Sequence, residues 1–90
     1  MTKRGKLEIM RDILKTVQDN HNSIKPTQLL RKSMISSSRF KEYYLDLLAK
    51  GLVIEIKTPK DEKFVSLTEK GFTFIERYKT IINFIEEFDL

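Results

Sequence analysis

Residues 43–53 read Tyr43-Tyr44-Leu45-Asp46-Leu47-Leu48-Ala49-Lys50-Gly51-Leu52-Val53. Tyr43, Tyr44 and Leu47 share one face of a helix with Phe40, and Gly51 stands where a helix ends in a left-handed residue. Upstream, Ser36 is placed to cap this helix, so it spans about 36–50. Downstream, Leu52–Ile56 and Lys63–Leu67 are β-favouring runs joined by Lys57-Thr58-Pro59-Lys60-Asp61-Glu62. Pro59 and Asp61 mark the turn of a hairpin, and the alternation of Leu52, Ile54 and Ile56, then Val65 and Leu67, predicts two half-buried strands.

The same reading extends to both ends. Leu7, Ile9, Met10, Ile13, Leu14 and Val17 recur at spacings of three and four, which predicts an amphipathic helix over about Lys6–Asp19. Asn20, His21, Asn22 and Ser23 then form a turn, and Ile24-Lys25 is extended because it precedes Pro26. Thr27 is expected to cap a short helix through about Lys32, with Leu29 and Leu30 facing inward. Ser33 and Met34 make a tight connection with Ile35 packed beneath. Thr68 caps a last helix, about Glu69 to Phe88, which no proline interrupts.

The chain has 90 residues, 40% hydrophobic and 33% charged, and no cysteine. That is enough for one core and too apolar for a disordered segment. The absence of cysteine excludes disulfide frameworks and thiolate metal sites. No apolar run approaches the roughly 20 residues of a membrane span. The start, Met-Thr-Lys-Arg-Gly-Lys, lacks the apolar stretch of a secretory signal, so a cytoplasmic location is expected. Charge is uneven: residues 1–41 carry ten Lys/Arg against three Asp/Glu, and residues 42–90 carry seven against ten. A basic half points to a polyanion partner.

Three helices followed by a β-hairpin make a winged helix-turn-helix, so the fold class expected is mainly α with a small β-hairpin (α+β). The sequence also resembles the small archaeal-type winged-helix DNA-binding transcriptional regulators. The resemblance rests on Lys25-Pro26-Thr27-Gln28-Leu29, Ile35-Ser36, the 43–53 stretch and Leu67-Thr68-Glu69-Lys70-Gly71, and it covers about residues 6–80. It implies double-stranded DNA as partner. One departure is Met34, where such families often carry Asn.

In that frame residues 1–68 are the expected DNA-binding unit and 69–90 a dimerisation element within a single domain. The helix at 36–50 enters the major groove with Ser36, Ser37, Ser38, Arg39 and Lys41 toward DNA, Arg39 being the candidate for guanine. Glu42 has no assigned role. Thr27, Gln28, Arg31 and Lys32 are expected on the backbone, as are Lys57, Lys60 and Lys63 of the wing at about 52–67, where Asp61 and Glu62 partly cancel their charge. Lys3, Arg4 and Lys6 are a candidate arm along a groove.

In the last helix Ile75, Tyr78, Ile82 and Ile85 follow heptad spacing, and Phe74, Ile81 and Phe88 form a second row, widened by Phe72. So wide a stripe predicts a homodimer. Catalysis is not expected: His21 is the only histidine and lies in a turn, and no phosphate-binding glycine pattern occurs. No cofactor, metal, membrane or small-molecule substrate is expected. The competing readings are a winged-helix module for protein–protein contact and a coiled-coil assembly protein with an incidental basic half.

Overall fold

The computed structural model describes residues 5–90. Helices α1 (Lys6–Asp19), α2 (Pro26–Ser33) and α3 (Ser37–Ala49) precede strands β1 (Val53–Lys57) and β2 (Lys63–Leu67), and α4 (Glu69–Glu87) ends the chain. This is the mainly α winged-helix architecture with a two-stranded antiparallel wing. The apolar stripe of α1 buries Ile9, Met10, Ile13, Leu14 and Val17 against Leu29, Phe40, Leu47 and Val65 of the other elements.

Polar turn residues tie α1 to the wing. His21 and Asn22 take left-handed backbone, φ 59° and 56°. This directs Asn22 at β2, where its carbonyl accepts from Ser66 Oγ at 2.8 Å and its Oδ1 from the Leu67 N–H at 2.7 Å. Ile24 then pairs with Val65 through two backbone hydrogen bonds, forming a one-residue third strand.

Two local expectations are corrected. Thr27 does not cap α2: Lys25 is the N-cap and Pro26 the first helical residue. Proline suits that position because its missing N–H would have no partner there and its φ is already helical, which moves Thr27 inside the first turn. The hairpin does not alternate as predicted either. Leu52 is buried but precedes β1, so the strand's inward positions are Val53 and Glu55, opposite Leu67 and Val65. Ile54 and Ile56 lie on the outer face, 46% and 47% exposed. The wing projects beyond the helices, and only its base covers the core.

Ser36 caps α3 as expected, its Oγ accepting from the Arg39 N–H. At the other end Gly51 has φ 70°. Its N–H donates to the Leu48 carbonyl and that of Leu52 to the Leu47 carbonyl, the paired bonds that satisfy a helix C-terminus. The start of α4 docks on this turn. Thr68 Oγ1 donates to the Gly51 carbonyl at 2.6 Å, the Thr68 N–H to the Leu52 carbonyl at 3.1 Å, and Lys70 Nζ to the Lys50 carbonyl at 2.9 Å. The Lys50-Gly51-Leu52 and Thr68-Glu69-Lys70-Gly71 steps are therefore one joint, assembled by the hairpin between them.

The 19 residues of α4 extend about 28 Å, and the molecule measures 50 × 27 × 21 Å. The first half of α4 lies on α1, where the Arg11 guanidinium sits 5.0 Å from the Tyr78 ring centroid.

Candidate nucleic-acid interface

The N-terminal turn of α3 faces solvent. Ser36, Ser37, Ser38, Arg39, Lys41 and Glu42 are all exposed, whereas Phe40, Tyr44 and Leu47 on the opposite face are buried. Phe40 and Tyr44 stack at 5.5 Å between ring centroids, which anchors the helix from inside. Ser36 Oγ is occupied by the cap and lies 3.4 Å from Ser38 Oγ. Ser37, Ser38 and Arg39 present their side chains at the end of the helix where backbone N–H groups are unpaired and the dipole favours anions.

Beside this turn, α2 presents Thr27, Gln28, Arg31 and Lys32, all exposed. Gln28, Arg31 and Lys32 line a shallow polar cavity of about 460 Å³ that is completed by Asn20 at the end of α1. Lys32 Nζ reaches Asn20 Oδ1 at 3.3 Å. Asn20 was legible only as a turn former; its place beside the α2 cations depends on how α1 and α2 pack.

The wing lysines differ from one another. Lys57 is paired with Asp61 at 2.8 Å and Lys63 lies 3.6 Å from Glu55. Glu62 is taken by Lys25 at 2.9 Å. Lys60 is exposed and has no ion pair among the described residues. Of the candidate arm, Lys6 is instead the first residue of α1, exposed and 3.5 Å from Asp46, whereas Lys3 and Arg4 lie outside the described residues.

Helix α3 and the wing are linked by a polar contact. Tyr44 Oη donates to Glu55 Oε2 at 2.5 Å. Burial, together with this bond and the charge of Glu55, pushes the Tyr44 hydroxyl well above its ordinary range, so it remains a donor. On the outer side of α3, the hydrogen bond from Lys50 and the positive charges of Lys50 and Lys6 hold the Asp46 carboxyl below its usual value.

The apolar stripe of α4 divides. Ile75, Tyr78 and Ile82 are half-buried and line a cleft of about 380 Å³ against Glu8, Arg11 and Lys15 of α1. Phe74 also packs partly on the core. Ile81, Phe84, Ile85 and Phe88 are exposed, with the Phe84 and Phe88 rings 4.9 Å apart. Phe84 belongs to this row although the heptad reading omitted it. Among the described residues no group of three or more His, Cys, Asp or Glu is placed to hold a metal ion, and no helix is long and apolar enough to cross a membrane.

A helix-turn-helix with a hairpin wing defines the class, and comparison with known proteins agrees. A winged helix-turn-helix family model matches residues 3–86, and the chain belongs to that family. Among solved structures it is similar to Sso10a-2, a DNA-binding protein from Sulfolobus solfataricus (25% identity, 94% of this chain and 85% of that one, TM-score 0.77). It is also similar to F93 from STIV, a winged-helix DNA-binding protein (22% identity, 89% and 91%, TM-score 0.72), and to F-93 of SSV1 (27% identity, 90% and 88%, TM-score 0.67). No curated protein sequence matches.

Proposed function

We propose that the protein binds double-stranded DNA as a homodimeric transcriptional regulator and catalyses no reaction. The observation that carries this reading is the shared surface of α2 and α3: Arg31, Lys32, Arg39 and Lys41 are exposed while the aromatics of α3 face the core. The likeness to Sso10a-2 and F93, both described as DNA-binding, supports it.

In this reading α3 enters the major groove, with Arg39 pairing to guanine and Ser37, Ser38 and Lys41 contacting nearby bases or phosphates. Ser36 holds the helix end, and its cap leaves the neighbouring N–H groups for a phosphate. Thr27, Gln28, Arg31 and Lys32 fix the register on the backbone. Within the wing Lys60 contributes most, because Lys57 and Lys63 first have to leave their carboxylates. Residues 1–68 are the DNA-binding unit and α4 the dimer element, through Ile81, Phe84, Ile85 and Phe88. Ile75, Tyr78, Ile82 and Phe74 support that helix from α1 and the core. A dimer would set two α3 helices against successive turns of the major groove, about 34 Å apart.

The exposed outer face of the wing, Ile54 and Ile56, favours the second reading, a module for protein contact. Titration of random-sequence duplex DNA at several salt concentrations separates the two. Binding that weakens steeply with salt supports the regulator; no binding at low salt supports the protein-contact module.

A further inference from the structure

Met34 is the most exposed large hydrophobic residue described, at 86%. It ends α2 in left-handed backbone, φ 62° and ψ 25°, a conformation that Gly and Asn adopt readily and other L residues adopt at a cost. A thioether in water gains nothing from that position in the free protein. The turn around it is fixed: Ser33 Oγ donates to the Leu30 carbonyl at 2.6 Å, and Ile35 packs against the core. Met34 is therefore held outward, two residues before the cap of α3, and is flanked in sequence by the exposed Arg31, Lys32, Ser37 and Arg39.

We infer that Met34 is a specificity residue that reads thymine by contact with its C5-methyl group. Resting on the DNA-binding reading above, the inference adds a base preference that the polar residues of the interface do not provide. The thymine methyl is the one apolar group on the major-groove edges of the bases. Phosphates and the donor and acceptor edges offer a thioether little. The flexible, unbranched methionine side chain adapts to a methyl whose position varies with sequence.

The test uses the full chain and a duplex pool enriched by the wild-type protein from random sequence, amplified once with dTTP and once with dUTP. Uracil lacks only the methyl. Wild-type protein should bind the thymine pool about fourfold more tightly for each methyl contacted. Met34→Gly removes the side chain, suits the left-handed backbone, and should keep an equal or higher Tm while binding both pools alike. Equal wild-type affinity for the two pools, or a thymine preference that survives in Met34→Gly, overturns the inference and leaves DNA binding intact. Failure to bind or enrich any duplex overturns the DNA-binding reading and this inference with it.

Discussion

The hydroxyl of Tyr44, on the buried face of α3, donates to Glu55 on the first strand of the wing at 2.5 Å. The two elements proposed to contact DNA are thus joined by a charge-assisted hydrogen bond in addition to apolar packing. Glu55 is also 3.6 Å from Lys63 on the second strand, so the contact extends across the hairpin.

Tyr44→Phe should lower stability by about 1.5–3 kcal/mol, the range for a lost hydrogen bond to a charged group. Denaturant unfolding checks this through a lower midpoint at unchanged slope. The raised hydroxyl pKa adds a pH signature. In the folded state the proton is held more tightly than in the unfolded chain, so the contribution is complete below about pH 10 and declines as pH rises above it. The wild type should lose stability over that alkaline range more steeply than Tyr44→Phe; parallel curves would contradict the assignment.

Gly71→Ala tests the joint between α3 and α4. On an open helix surface this change stabilises by about 1 kcal/mol. Here the new Cβ would lie 2.2 Å from the Leu52 carbonyl oxygen, which is backbone and cannot swing aside. Thermal unfolding should show destabilisation of about 2 kcal/mol or more. A rise in Tm would show that the joint is looser than described.

Arg39→Ala should weaken binding to a selected site by about 10- to 100-fold, as expected for loss of a bidentate base contact, and binding to random DNA much less. Lys60→Ala should weaken both alike and reduce the salt slope by about one. Lys57→Ala should cost less than Lys60→Ala, because Asp61 already neutralises Lys57. Anisotropy titrations on the two kinds of DNA measure all three. Equal losses for Arg39→Ala on both would remove its base-reading role.

Replacing Ile81 and Phe84 together by Ser should convert a dimer into a folded monomer. Both side chains are more than half exposed and contribute little to the protein's own core. Sedimentation should show the mass halve, with helical content retained. An unchanged dimer would place the interface elsewhere.

Much of this organisation was legible in residue order. The stripe of α1, the Ser36 and Thr68 caps and the left-handed Gly51 are local features that sequence expresses directly, and the structure reproduces them. Thr27 was misread because Pro26 competes for the helix start one residue earlier. The wing was misread because alternation shows that a strand has two unlike faces but not whether either is covered. Likewise, heptad spacing in α4 puts Tyr78, which lies against Arg11 of the same chain, in one row with Ile85, which is exposed. Contacts such as Tyr44–Glu55 and Asn22–Leu67 depend on the assembled fold and have no sequence signature.

The most direct test of the account is the salt dependence of duplex-DNA affinity for the intact protein. In the proposed function Arg31, Lys32, Lys41 and Lys60 are the cations that meet phosphates, with Arg39 reserved for a base. About four contacts in each protomer predict a slope of log affinity against log salt of roughly −3 to −4 per protomer. Affinity independent of salt, or no binding at the lowest salt, would contradict the claim that the α2–α3 surface and the wing form a DNA interface.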